Sequence, residues 1–333
     1  MKVLLLGGTS FFGKDIARLF HQAGHSVTLF TRGQQKPSDL PALNGIVGDR
    51  EKPADLERAA RAESWDLVID NIAYTAQHVE QALTAFAGIK RYLLCSTVSV
   101  YRFVRDRYPQ PLKETAVDYD YSPPEEIPDD IHWKYARGKL EAERAVIRQT
   151  RVPWTILRPP VVYGPYDVTD RGFWYLGRLQ QGGPMLLASD GSASFRLSYS
   201  VDVARAFLDA AQTTRTIGHI YNTAQSEIIT LRDFIEESAR ALSATTDLIS
   251  IPIEFLGDLG GPYSTMPNLV QDNSAAERDF GYRTTPWTEF AAITAAWFRD
   301  HWKGDPAKLY ATRREELALA QQWRESTARF RAI

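Results

Sequence analysis

Two residues four apart, in the run Tyr135-Ala136-Arg137-Gly138-Lys139, have the types needed for proton chemistry. On a helix that spacing puts both side chains on one face. An ammonium beside a phenol favours the phenolate and draws its pKa down from about 10. Such a phenol can give or take a proton while hydride moves at a neighbouring carbon. The same spacing also arises by chance, and an ordinary surface pair would look alike. A second group of hydroxyls lies in Leu94-Cys95-Ser96-Thr97-Val98-Ser99-Val100-Tyr101. A hydroxyl at the carboxyl end of a strand points into the ligand crevice of an open α/β sheet. Thr97 or Ser96 can then orient a substrate oxygen opposite Tyr135, while Ser99 suits a turn.

These groups need a scaffold and a hydride carrier, and the N-terminus offers both. Lys2 to Leu6 is a short apolar run closed by Gly7-Gly8, the pattern of a buried parallel strand. Ile16, Ala17, Leu19 and Phe20 then share a helical face up to Gly24, and Ser26 to Phe30 is apolar again. The turn between first strand and helix reads Gly7-Gly8-Thr9-Ser10-Phe11-Phe12-Gly13. A dinucleotide fingerprint needs a tight glycine turn, a small residue near pyrophosphate and a glycine for helix–strand packing. Gly7 and Gly13 meet the first and last needs. Ser10 stands in the middle place, with a hydroxyl able to bond a phosphate. Amides of Phe11, Phe12 and Gly13 would face the anion. A sharp turn in a flavodoxin-like binding protein is the competing reading. After the second strand stands Arg32, where an NAD site usually carries a carboxylate. A guanidinium suits a 2′-phosphate, so NADP(H) is favoured over NAD(H). Asp49 either accepts from the adenine amine or caps a helix. Lys139 would also hold the nicotinamide ribose.

The alternation continues with strands at 45–47, 67–69, 92–95 and 154–157 and helices at 54–62, 77–86 and 134–148. That is an α/β fold with a doubly wound parallel sheet, a Rossmann domain over 1–160. Residues 105–132 lack a period and read as a long loop. From 161 to 305 the pattern turns irregular, and a smaller mixed substrate lobe interleaves with late strands of the sheet. Residues 306–333 form a charged helical tail that packs on the body or on a partner subunit.

Four motifs in order resemble the extended short-chain dehydrogenase/reductase superfamily, in its epimerase/dehydratase branch. They are Gly7…Gly13, Ser96-Thr97-x-x-Val100-Tyr101, Tyr135…Lys139 and Leu157-Arg158-Pro159-Pro160-x-x-Tyr163-Gly164-Pro165. A weaker one is Val201-Asp202-Val203-Ala204 followed by Tyr221-Asn222. The resemblance spans roughly residues 1–300. It implies Thr97 as the catalytic hydroxyl, Tyr135 as acid/base and Lys139 as its partner. Backbone at Ile72-Ala73 and Pro160-Val161-Val162 would flank the cofactor. It also implies a homodimer joined near residues 77–87 and 134–149. Family 4,6-dehydratases carry Asp-Glu after the catalytic Thr. Val98 and Ser99 stand there, so dehydration is disfavoured. Arg196 lies one residue out of register with the family's diphosphate-binding arginine; it grips a phosphate or carboxylate, or faces solvent. The substrate implied is a sugar or nucleotide sugar. Tyr74, Tyr101, Trp133, Tyr163, Phe173, Trp174 and Arg196 are the candidates to face it, against the commoner fate of core packing. The subgroup opening Gly-Gly-Thr-x-Phe-x-Gly also resembles plastid stem-loop RNA-binding proteins.

The bulk numbers narrow the field. With 39 basic and 41 acidic side chains in 333 residues the net charge is −2, which argues against a nucleic-acid partner. The single cysteine, Cys95, excludes an internal disulfide and fits a reducing compartment. The N-terminal apolar run is short for a signal peptide, and no apolar stretch spans a membrane, so a cytoplasmic location is expected. The scattered histidines give no metal-ligand spacing. The alternative reading is a non-catalytic dinucleotide sensor or RNA-binding relative. The intact Thr97, Tyr135 and Lys139 set stands against it.

Overall fold

The computed structural model describes residues 1–35, 39–120, 130–264 and 269–331. The chain divides into two compact units. The first comprises Met1–Val162, Leu197–Ser226 and Gln271–Thr284. Its strands are β1 (Lys2–Leu6), β2 (Ser26–Thr31), β3 (Asn44–Val47), β4 (Leu67–Asp70), β5 (Arg91–Cys95) and β6 (Trp154–Arg158). With the strand His219–Asn222 they make one seven-stranded parallel sheet, in the order β3-β2-β1-β4-β5-β6 and then 219–222. That is the doubly wound order in which ligands bind outside the carboxyl ends of the strands, where the order reverses between β1 and β4.

The continuous apolar runs follow from burial on both faces. Val3 and Leu5 pack with Ile16 and Phe20 of α1 (Phe11–Gln22) and with Val203 and Phe207 of the helix Ser200–Ala211. Leu4 and Leu6 pack the other way, with Leu56 of α2 (Pro53–Ala62), Val79 and Leu83 of α3 (Ala76–Ala85) and Val146 of α4 (Ile131–Arg148). Each such side chain contributes about 1.5–3 kcal/mol when fully buried. α4 begins three residues before the sequence pattern suggested, because the Asp130 carboxylate accepts from the amides of His132 and Trp133 and starts the helix there. The aperiodic loop contains short turns at Arg105–Arg107 and Glu114–Ala116, and its residues 121–129 lie outside the described residues.

The second unit comprises Tyr163–Arg196, Glu227–Val270 and Thr285–Ile333. Within the span 161–305, where a lobe interleaved with late strands of the sheet is expected, residues 197–226 and 271–284 belong to the first unit, and the strand His219–Asn222 completes its sheet. Within the second unit, the helices Arg171–Gln181 and Trp287–His301 enclose an apolar cluster around Phe173, Leu176, Ala295 and Phe298. The charged tail forms the helix Arg313–Arg331 and packs on this unit. Arg178 donates to both carboxylate oxygens of Glu316, at 2.9 and 2.5 Å, and both side chains are buried. Arg313 donates to the carbonyls of Gly182 and Pro184. Among the described residues, no helix is long and apolar enough to cross a membrane, and no group of His, Cys, Asp or Glu could hold a metal ion.

Removing one partner of a buried pair leaves the other charge uncompensated. Glu316→Ala should therefore lower stability by about 3–5 kcal/mol in chemical denaturation. An unchanged denaturation midpoint would show that the tail is not clasped to this unit.

Candidate active site

The carboxyl ends of β1, β2, β3 and β4 enclose a cavity of about 420 Å³, within the range of small-molecule sites. Its floor is the turn after β1. Gly7 and Gly8 have φ of +99° and +93°, a conformation that only glycine adopts without strain. A Cβ on Gly13 would lie 3.0 Å from the Gly8 Cα, so α1 sits against the turn only because that atom is missing. Ser10 is the N-cap residue of α1, yet its side chain makes no capping bond. The first amides of α1 are left for an anion.

Of the predicted cofactor residues, Gly7, Ser10, Arg32, Asp49 and Ile72 line this cavity. Arg32 is exposed at the end of β2 and has no hydrogen-bond or ion-pair partner among the described residues. Asp49 is on the wall, and its carboxylate also accepts from the Glu51 amide at 3.1 Å. It does not cap α2, whose N-cap is Lys52. Phe11, Phe12, Gly13, Tyr135, Lys139, Ala73, Pro160 and Val162 are not on this wall. Phe11, Ala73 and Val162 are buried in the core of the first unit.

Tyr74, expected beside the substrate, lines the cavity and links it to α4. Its ring centroid is 4.9 Å from the Lys139 ammonium and 6.2 Å from the Tyr135 ring. Lys139 is 2% exposed and donates to the Cys95 carbonyl, at the end of β5, at 2.8 Å. Its ammonium also lies 5.9 Å from the Tyr135 ring. Tyr135 is 36% exposed, whereas the lysine is enclosed. Among the described residues no carboxylate pairs with Lys139. Gly138 makes the approach feasible, since a Cβ there would lie 2.3 Å from the Tyr74 carbonyl oxygen. Burial pushes the neighbouring Cys95 thiol up to about 11, so it stays an inert thiol.

Thr97 ends the β5 crossing and caps the 3₁₀ turn Val98–Phe103, accepting from the Ser99 amide at 3.2 Å. That turn packs on α4. The buried Ser96 hydroxyl has no partner among the described residues.

Three substrate expectations are corrected. Tyr101 has no accessible surface: it donates to Asn222 at 2.7 Å, accepts from Arg158 at 3.0 Å, and burial pushes its phenol up to about 12. Tyr163 is enclosed by Phe234, Trp287 and Phe290, and Phe173 stacks on Trp297, all inside the second unit. Trp133 is held between Phe103 and Arg102. Trp174 lies under the Arg178 guanidinium at 3.4 Å, and Arg196 is half-buried.

Sequence reasoning missed Asn71 and Arg50 on the cavity wall, and it missed Gly138. Arg50 is buried on Asp70 at 2.7 Å and bonds the His78 carbonyl at 2.7 Å. Such partners, distant in sequence, leave no local signal. A glycine in mid-helix costs about 1 kcal/mol, and that cost was a readable sign of close packing.

Fold and site together define a doubly wound dinucleotide-binding protein of the extended short-chain dehydrogenase/reductase type. The profile of the NAD dependent epimerase/dehydratase family matches residues 3–224, and the chain belongs to that family. The chain is 30% identical over 253 residues to the chloroplast stem-loop binding protein of 41 kDa b of Arabidopsis thaliana; the match covers 72% of this chain and 63% of that relative's length. It is 25% identical over 271 residues to the 2′-dehydrokanamycin reductase of Streptomyces kanamyceticus, covering 78% and 71%. Among solved structures it is similar in fold to the UDP-glucuronic acid 4-epimerase of Bacillus cereus in complex with UDP-glucuronic acid and NAD. There the TM-score is 0.70 at 18% identity, over 91% of this chain and 100% of the other. The residues present fit a dinucleotide: a glycine cradle, an uncapped helix start and a guanidinium without a partner among the described residues on one wall.

Gly138→Ala forces α4 away from Tyr74. It should cost about 1–3 kcal/mol in stability, as overpacking does. It should also weaken dinucleotide binding, measured by titration. Wild-type values for both would contradict the close approach.

Proposed function

We propose that this chain moves hydride at a secondary alcohol or ketone carbon of a sugar or nucleotide sugar, as an epimerase or ketoreductase. The observation that carries the reading is the enclosed Lys139 ammonium, with no carboxylate partner among the described residues, 5.9 Å from the Tyr135 ring and next to Tyr74, which lines the cavity. A buried cation needs compensation, and a developing phenolate together with ribose hydroxyls provides it. When bound, the nicotinamide supplies or accepts the hydride. The chain's own residues do the rest. Tyr135 gives its proton to the substrate oxygen in reduction and takes it back in oxidation. Lys139 stabilises the phenolate left behind. Thr97 holds the substrate oxygen toward Tyr135. The positions after Thr97 are Val98 and Ser99, so no carboxyl stands there to expel a hydroxyl.

Arg32 supports NADP(H) as the dinucleotide. Arg50, the other guanidinium on the wall, is committed to Asp70, which leaves Arg32 to meet a 2′-phosphate. The second reading has one specific support, the stem-loop name of the Arabidopsis relative. It requires a stem-loop RNA shift whose affinity falls steeply with salt. The balanced charge of −2 stands against it.

Tyr135→Phe should lower kcat by about 10²–10⁴-fold on a responsive nucleotide sugar or ketone, with dinucleotide affinity kept. Full activity in that variant would remove the acid/base assignment. Arg32→Ala should weaken NADP⁺ binding by about tenfold or more, the loss of one charge-assisted contact, and leave NAD⁺ binding unchanged. Tighter binding of NAD⁺ than NADP⁺ by the unaltered protein would overturn the preference.

A further inference from the structure

His78 is absent from every motif, yet each of its polar atoms is used. It sits in the first turn of α3, where its amide donates to the Thr75 hydroxyl at 3.2 Å. Its carbonyl accepts from Arg50 at 2.7 Å. Its ring Nδ1 accepts from the Tyr74 amide at 3.1 Å. An accepting Nδ1 places the ring proton of the neutral imidazole on Nε2. Nε2 lies 2.8 Å from the Glu51 carboxylate. The imidazole is 12% exposed, whereas Glu51 is 62% exposed.

Glu51 and Arg50 belong to the loop after β3, on the cavity wall next to Asp49. Tyr74 belongs to the segment after β4, and its ring also meets His78, Lys139 and Tyr135. The Tyr74 carbonyl is the atom against which Gly138 packs. One side chain therefore joins the wall at the end of β3 to the residue that seats the Tyr–Lys pair. The Tyr74 amide is thus held by His78, and its carbonyl packs against Gly138 of α4.

We propose that His78 is a positioning residue that couples dinucleotide binding to the placement of Tyr135 and Lys139. It does so through two separable bonds, Nε2 to Glu51 and Nδ1 to Tyr74. The first holds the dinucleotide wall. The second sets Tyr74 under the ammonium. This rests on the dinucleotide and Tyr135 reading given above, and the two bonds have separate readouts.

Two variants separate them. His78→Phe keeps a ring and loses both bonds. His78→Asn keeps an acceptor at the Nδ1 place, but its amide is too short to reach Glu51. Affinity for NADP⁺ and NAD⁺ is read by titration without turnover, and kcat is read at saturating dinucleotide. His78→Phe should lose about tenfold in affinity, the scale of one charge-assisted hydrogen bond. It should also lose about tenfold or more in kcat, the scale of a misplaced catalytic group. His78→Asn should lose the same affinity and regain kcat to within about twofold of the unaltered protein. Equal kcat in the Phe and Asn variants overturns the coupling, and so does unchanged affinity in both. If the Phe variant does not fold, the Asn variant decides alone: lost affinity with kept kcat supports the proposal, and a parallel loss overturns it. Retained activity in Tyr135→Phe would remove the acid/base role. The affinity arm needs no turnover, so its result stands separately.

Discussion

An ammonium enclosed among aromatic rings is costly unless something compensates its lost hydration. At Lys139 the compensation is a strand-end carbonyl, that of Cys95, with two phenol rings near the charge. None of these is an anion, so the compensation is partial, and the proposed mechanism uses that deficit to favour negative charge that develops during reaction. The rest of the first unit can be read as the support of that arrangement. β5 ends where its last carbonyl meets the lysine. α4 is started by Asp130, one turn before Tyr135. Gly138 lets the helix come down on Tyr74. One helical turn beyond Lys139, both carboxylate oxygens of Glu143 accept from the Nε and Nη2 of Arg158, which ties the same helix to the end of β6.

The dinucleotide side uses backbone more than side chains. Positive φ at Gly7 and Gly8, the missing Cβ of Gly13 and the uncapped start of α1 leave a polar floor that no side chain obstructs. Side chains enter at the ends of β3 and β4, where Arg50 is neutralised by Asp70 and braced by the His78 carbonyl. Burial alone would push the Arg50 guanidinium down, but the Asp70 carboxylate holds it up. The wall is thereby made rigid without spending Arg32, the cation left for a ligand. Preorganisation of this kind lowers the ordering cost of binding.

Much of this was legible before any coordinates. The parallel sheet, the glycine turn, the Tyr–Lys spacing and the strand-end hydroxyls all depend on periods and neighbours within about one element, which sequence patterns record directly. What was not legible depends on chain segments that meet from afar. An interleaving of late strands between 161 and 305 is expected, but not which residues return: the four-residue strand His219–Asn222 pairs with β6 from a distance no local period encodes. Tyr101, Tyr163 and Phe173 read as ligand contacts and are core, since an aromatic near a motif carries the same signal in either role. Arg50, Asn71 and His78 had no motif at all.

The central claim is that the nicotinamide end of a bound dinucleotide reaches past Tyr74 to Lys139 and Tyr135. A crystal structure with NADP⁺ bound tests it directly. The account predicts pyrophosphate on the turn from Gly7 to Gly13, with the nicotinamide ribose within hydrogen-bond reach of the Lys139 ammonium. A nicotinamide ring turned away from Tyr135, with no contact to Lys139, would contradict it.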